Sequence, residues 1–284
     1  MRAAELAAFV AARPAAVVAE LTGVRGSSPR EAGAFMVVAA EGLVGTIGGG
    51  ALEYMVIARA RQALRDGIAP GVMDVPLGPE IGQCCGGRVE VALRVLTPEL
   101  GAGLQARLRA AEAGRPHVYV FGSGHVGKAL ARALVALPLS VHVIDTRPDE
   151  LADLPEGISA RAVPMPEAVV RAAPAGSAFV ILTHDHALDF MIAGEALRRT
   201  DAAYVGMVGS RTKRARFASW FAGEGGDRAA LDRLVLPIGN MGLVDKRPEV
   251  IAALAAAEIM VHIGRGEALG ARPDSERISG AVID

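Results

Sequence analysis

The chain has 284 residues, 51 % of them hydrophobic and 4 % aromatic, which suits one large domain or two ordinary ones with a substantial core. Its 30 basic and 31 acidic residues leave a formal net charge of −1, which excludes the general attraction to nucleic acid or to a membrane surface that a strongly basic chain would have. No apolar run reaches the roughly 18 residues needed to span a bilayer. Arg2, Glu5, Arg13 and Glu20 also interrupt any signal-like core, so the expected location is the cytoplasm.

In chain order, residues 17–21 and 34–39 read as strands. Between them lies the polar loop Arg25-Gly26-Ser27-Ser28-Pro29-Arg30, followed by Gly33-Ala34. Gly45-Thr46-Ile47-Gly48-Gly49-Gly50 then leads into a helix over 52–64. Three glycines at a helix start would leave backbone N–H groups bare for an anion, although glycine triplets also make plain turns. No lysine follows these glycines, which excludes the ordinary nucleotide-phosphate loop. Strands at 72–75 and 89–96 close this part of the chain, and residues 98–113 have the spacing of a connecting helix.

Between those last two strands stands Gln83-Cys84-Cys85-Gly86-Gly87, which holds the only two cysteines of the chain. Adjacent cysteines pair poorly with each other because so short a ring strains the disulfide, and there is no second pair to build a zinc site. Two soft sulfurs on a glycine-softened loop suit a soft metal, sulfur transfer or redox work. The alternative is a pair of small buried hydrophobes.

From residue 117 the pattern becomes strand–helix alternation, with strands at 118–121, 141–144, 178–182, 204–208 and 234–236, and helices at 126–136, 190–199, 212–221 and 248–263. The strands are continuous apolar runs, as in a parallel sheet covered on both faces. The first of them runs into Gly122-Ser123-Gly124-His125-Val126-Gly127. In that context Gly122 serves the tight turn, Gly124 the approach of a phosphate, and Gly127 the packing of helix on strand. Asp145 ends the next strand, where a carboxylate would accept from ribose hydroxyls; Arg147 leaves room for a 2′-phosphate, against which Asp145 argues. Thr183-His184-Asp185-His186, with Asp189 beyond, falls at another strand end, and His125 adds a third imidazole. Those histidines either face a bound molecule or are solvated beside an Asp185 helix cap. Arg211, Lys213 and Arg214 open the following helix, either to hold phosphate or as a solvated face. The expected fold is a small N-terminal α+β domain (1–97), the connecting helix (98–115), a doubly wound Rossmann-type domain (116–265) and a C-terminal tail (266–284).

The ordered segments RGSSPREAGA, GTIGGGALE, QCCGG, FGSGHVGKAL, VIDTRP, THDHALD, YVGMVGSRTKR and PIGNMGL together resemble the XdhC/CoxI family, accessory proteins of xanthine dehydrogenase and related molybdenum hydroxylases. The resemblance covers residues 15 to 265. Where the family often has Gly-Leu-Asp-Ile-Gly-like text, this chain has Pro237-Ile238-Gly239-Asn240-Met241-Gly242-Leu243.

The resemblance implies a chaperone, not an enzyme. It would bind the molybdenum cofactor in its molybdopterin form, keep it during sulfuration by a cysteine desulfurase, and deliver it to the apo-hydroxylase. On that reading Cys84 and Cys85 contact the metal or pass sulfur, Gly48, Gly49 and Gly50 take the phosphate or pterin edge, and Ser27, Ser28 and Arg30 close over it. Gly122, Gly124, His125, Gly127, Asp145, His184 and His186 would hold part of the cofactor, or NAD or another adenine nucleotide. A homodimer is expected by resemblance, since the small first domain would gain a partner for its sheet. Two other readings stand beside it: an NAD(P)-dependent oxidoreductase with Asp145 on the ribose and His184 or His186 as acid–base, and a thiol-based metal or redox sensor.

Overall fold

The structure is a computed structural model that describes residues 1–78, 86–243 and 245–270, the side chains of 266–270 excepted. Cys84 and Cys85 and residues 271–284 of the expected tail lie outside the described residues, while the start of that tail, 266–270, continues the last helix. The chain divides into two compact units, Met1–Gly114 and Arg115–Asp284.

The first unit is built on a five-stranded antiparallel sheet. It contains α1 (Ala3–Ala12), β1 (Ala16–Arg25), β2 (Phe35–Ala39), β3 (Leu43–Gly45), α2 (Gly50–Asp66), β4 (Gly71–Pro76), β5 (Arg88–Val95) and α3 (Pro98–Ala113), with strand order β3-β2-β1-β5-β4. Strand β1 is apolar at successive positions, so both faces of the sheet need cover. Val17, Ala19 and Leu21 pack with Leu52, Val56 and Ala60 of α2, while Ala16 and Val18 pack on the other face with Leu6 of α1 and Leu104 of α3. The unit thus covers both sheet faces with its own helices, and the burial argument for a second copy falls away. The helix expected as a connector packs inside this unit.

The second unit contains β6 (His117–Phe121), α4 (His125–Val135), β7 (Ser140–Asp145), β8 (Ser159–Ala162), α5 (Pro166–Ala172), β9 (Ala178–Ile181), α6 (His186–Arg198), β10 (Tyr204–Met207), α7 (Arg211–Gly223), β11 (Leu234–Val235) and α8 (Pro248–Gly270). Its sheet is parallel throughout, in the order β11-β10-β9-β6-β7-β8. Strand order therefore reverses between β6 and β9, the switch point at whose carboxyl edge open α/β sheets bind ligands. Phe121, Ile144, Phe179 and Ile181 fill one side of the sheet, and Val120, Val143, Val180 and Ala255 the other. This is the doubly wound Rossmann-type arrangement that the sequence leads one to expect. Strands β3 and β8 and helices α1 and α5 are additions to the expected elements; Ser159–Ala162 is exposed along its length and carries no apolar period to reveal it.

One feature of the Rossmann sheet carries a pH dependence. His117 and His142 stack at 5.2 Å with Nδ1 of the first 2.9 Å from Nε2 of the second, and Tyr119 stacks on His142 at 4.5 Å. Burial first, then the neighbouring His117 and Arg161, push His142 down to about 4 from the ordinary 6.5. Below pH 6.5 the unfolded chain binds a proton that the folded chain refuses, so stability falls as pH drops from 6.5 toward 4. We expect His142→Phe to flatten this part of the curve of melting temperature against pH. An unchanged slope would remove His142 as its source.

Candidate functional site

Three loops meet in the first unit. Ser27 and Gly86 form an isolated parallel bridge, and Gly87 presses on the backbone of Arg25 and Ser27 so closely that a Cβ there would collide with both carbonyl oxygens. Gly48, at φ +130°, lies against the Pro29 ring, which a Cβ would strike. The Arg25–Arg30 loop is thereby wedged between the glycine triplet and the exit of the cysteine segment. Leu77 and Gly86 to Gly87 exchange backbone hydrogen bonds of 2.9 and 2.8 Å, so β4 and β5 form a hairpin whose connection contains Cys84 and Cys85. Within the Arg25–Arg30 loop, the Ser28 hydroxyl donates to the Arg30 carbonyl at 2.9 Å. Arg30 borders a shallow hollow shared with Glu31 and Gly33.

The glycine triplet is not the bare cradle its sequence suggests. Glu53, in the first turn of α2, folds back so that its Oε1 accepts from Thr46 Oγ1 at 2.5 Å and from the Ile47 and Gly49 N–H groups at 2.9 Å. The Gly48 N–H donates to Thr46 Oγ1 at 3.1 Å. Partial burial would push the Glu53 carboxyl up, but these hydrogen bonds together hold it below its ordinary value. The loop thus holds an anion of its own, because a carboxylate four residues past the Gly49 N-cap can reach the donors that precede the helix. Gly49 remains open, with nothing near the direction of a Cβ, and no side chain caps the helix start at Gly50.

In the second unit the glycine turn has the geometry of a dinucleotide-binding loop. Gly122 sits at φ +108° with the Leu182 backbone where a Cβ would be, and Gly127 abuts the Gly122 carbonyl. Gly124 opens on empty space and N-caps α4 without a side-chain cap. Gly124, His125, Gly127, Thr183 and His184 all line one cavity of about 460 Å³ at the switch point. His186, the first residue of α6, is not in its lining. The chain turns at Asp185, whose carboxylate caps that helix by accepting from the Ala187 N–H at 2.8 Å. The helix cap and a cavity-facing histidine therefore coexist, on neighbouring residues.

Asp145 and the basic cluster differ from expectation. Asp145 is 4 % exposed and its carboxylate is already engaged. Oδ2 accepts from the Ser123 N–H at 2.8 Å and from Arg147 Nη2 at 3.2 Å, and Oδ1 from the Arg147 N–H and Nε at 3.0 and 3.1 Å. Burial would raise its carboxyl, yet the bonds from Arg147 and Ser123 hold it below the ordinary value. A ribose diol would have to compete with a guanidinium for it. Lys213 is buried and its Nζ donates to Asp189 Oδ2 and, at 2.9 Å, to the Val208 carbonyl. Arg214 donates to the Leu234 carbonyl at 2.8 Å. Two of the three cations read as a phosphate clamp or a solvated face therefore brace the fold instead. Asp189 in turn accepts from the Thr183 N–H and hydroxyl at 2.9 and 2.8 Å, which sets the strand end carrying His184.

Among the described residues no group of three or more His, Cys, Asp or Glu side chains could hold a metal ion, and no helix is long and apolar enough to cross a membrane. The thiol donors of the chain, Cys84 and Cys85, lie outside the described residues; two thiolates are the donor type that a soft metal takes.

Fold and site together define a two-unit protein in which a unit with a loop-built junction precedes a Rossmann domain with an intact glycine turn. The pattern of the XdhC Rossmann domain matches residues 118–259, and that of the XdhC and CoxI family matches residues 9–74. The chain belongs to the XdhC/CoxI family. It is 27 % identical over 261 residues to the uncharacterized protein YqeB of Escherichia coli K12, covering 86 % of this chain and 42 % of that one; it thus spans well under half of that relative. The crystal structure of a xanthine dehydrogenase (BH1974) from Bacillus halodurans superposes with a TM-score of 0.76 at 19 % identity, over 96 % of this chain and 98 % of the other. That likeness concerns the fold alone.

Proposed function

We propose that this chain is a maturation factor for xanthine dehydrogenase or a related molybdenum hydroxylase, which binds the molybdenum cofactor in its molybdopterin form and delivers it to the apo-protein. The convergence of the Arg25–Arg30 loop, the glycine triplet and the exit of the cysteine segment carries this reading. Family membership and the fold shared with BH1974 support it.

Within that site Cys84 and Cys85 would hold the metal or pass on sulfur from a cysteine desulfurase. Ser27, Ser28 and Arg30 would close over the pterin, and the start of α2 at Gly50 would take its phosphate only once Glu53 swings off the Gly49 N–H that it now occupies. When bound, the cofactor supplies a thiophilic metal and a phosphate; the chain's own part is to bind, shield and release it in the cytoplasm, without turnover.

The test is anaerobic retention. Purified protein is mixed with molybdopterin released from a molybdenum enzyme and filtered, and bound pterin and molybdenum are assayed. We expect retention by the wild type and a loss of about tenfold or more in Cys84→Ala/Cys85→Ala, since each metal–thiolate bond is a large part of the affinity. Absence of retention by the wild type overturns the reading.

A further inference from the structure

The Rossmann cavity carries a second cluster that the maturation reading leaves unused. Arg147, Lys128 and Glu150 all line it. Glu150 lies on the short helical turn Pro148–Leu151 that follows β7, and Lys128 on the first turn of α4. Arg147 Nη1 stands 3.4 Å from Glu150 Oε1, and Lys128 Nζ 3.7 Å from Glu150 Oε2, so the two cations straddle one carboxylate.

Three observations give this arrangement a direction. First, both pairs are longer than the roughly 2.7–2.9 Å of a tight charge-assisted bond, and all three side chains are part-exposed, at 39 %, 23 % and 37 %. Glu150 is loosely held and can leave. Second, Arg147 is not free to follow it, because Nε and Nη2 are fixed on the buried carboxylate of Asp145, leaving Nη1 turned to Glu150. Third, the ribose-accepting role of a carboxylate at this strand end is pre-empted by the same Arg147, while Gly124 stays open to a phosphate at the adjacent turn. A site that has covered its ribose acceptor with a guanidinium presents positive charge where an unphosphorylated ribose would ask for negative.

We propose that Arg147 and Lys128 form a phosphomonoester subsite of the Rossmann cavity, in which Glu150 stands in for the ligand's anion and is displaced when it binds. The oxygens of a phosphate are spaced much as those of a carboxylate, so one dianion can take over both contacts. Asp145 acts as a positioning residue that fixes the guanidinium plane. The shared chemistry is a terminal phosphate dianion, which could come from the 2′-phosphate of an adenine dinucleotide or from the terminal phosphate of a pterin cofactor. Only the pterin source rests on the maturation reading.

The experiment uses the full chain and two probes. NADPH and NADH are titrated by fluorescence, and molybdopterin retention is measured on the same proteins: wild type, Arg147→Gln, Lys128→Gln and Glu150→Gln. If the dinucleotide is the source, NADPH binds about tenfold or more tightly than NADH, as expected for gained charge-assisted bonds. Arg147→Gln and Lys128→Gln then erode that preference, and Glu150→Gln enhances it by raising NADPH affinity more than NADH affinity. If the pterin is the source, NADPH and NADH do not differ, and molybdopterin retention falls in Arg147→Gln and Lys128→Gln but rises in Glu150→Gln. Glu150→Gln removes no buried contact, so its gain of binding cannot come from misfolding. The subsite is overturned if neither probe responds to Glu150→Gln and Lys128→Gln. A wild type that retains no molybdopterin yet prefers NADPH would sink the maturation reading and leave the subsite standing.

Discussion

Lys213→Met is expected to cost the protein about 3–5 kcal/mol, because it strands a buried carboxylate without its cation. Asp189 is fully buried and Lys213 is 9 % exposed, so neither charge can recover its hydration without opening the unit. For a chain of this size the loss should appear as a fall in melting temperature of order 10 °C. The double variant Asp189→Leu/Lys213→Met should recover much of it, since replacing a buried pair by apolar residues is often neutral or better. Recovery will not be complete: the Thr183 N–H and hydroxyl lose the Asp189 oxygen that they share. The double variant therefore separates two roles. A protein that melts near the wild type but binds its Rossmann ligand poorly would assign the pair to holding the Thr183–His184 strand end. A Lys213→Met variant that melts within a degree of the wild type would deny that the pair matters at all.

That pair also marks where the sequence stops being readable. The Rossmann unit announces itself because its signals are local: a continuous apolar strand, a glycine turn whose residues each have a steric reason, and an acidic strand end, all within thirty residues. Whether Arg211, Lys213 and Arg214 serve a ligand or the fold depends on partners that are distant in sequence, Asp189 and the carbonyls near β11. A cluster of cations at a helix start looks the same in both cases. The engagement of Asp145 went unread for the opposite reason, since its partner Arg147 is only two residues away. A charged pair that closes on itself across two residues could have been anticipated from the text IDTRP. Glu53 lies between these extremes. Thr46 and a glutamate in the first turn of the next helix are the ingredients of a self-satisfied loop, visible once the acidic residue is considered as a partner for the glycine N–H groups and not merely as a surface charge. In the first unit, the meeting of the Arg25–Arg30 loop, the glycine triplet and the Gly86-Gly87 segment is implied only by the family resemblance and not by the residues themselves, because it is made by glycines at close approach and not by any side chain with a chemical signature.

Gly87→Ala tests that junction without touching a cysteine. A Cβ at Gly87 would run into the Ser27 and Arg25 carbonyl oxygens and the Ser27 carbonyl carbon, all backbone, so nothing flexible can give way. The loop must then move off Gly86 and Gly87, breaking the Ser27–Gly86 bridge, at a cost of about 1–3 kcal/mol for overpacking. Gly103→Ala is the control: it lies in α3 with nothing near its Cβ direction, and should stabilise by up to about 1 kcal/mol through helix propensity. Gly86→Ala is a second control, because that residue has a left-handed φ of +66° but open space around it, so it strains the backbone without driving the loops apart. We expect molybdopterin retention to fall in Gly87→Ala about as far as in Cys84→Ala/Cys85→Ala, to fall less in Gly86→Ala, and to stay unchanged in Gly103→Ala. Such a ranking follows the separation of the loops and not the loss of stability, since the strained and the clashing variants can be matched in melting temperature by choice of conditions. Retention that tracks melting temperature across all three would mean that the glycines only hold the hairpin in register. Retention that survives in Gly87→Ala while the cysteine variant loses it would confine binding to the thiols and leave the Arg25–Arg30 loop outside the site.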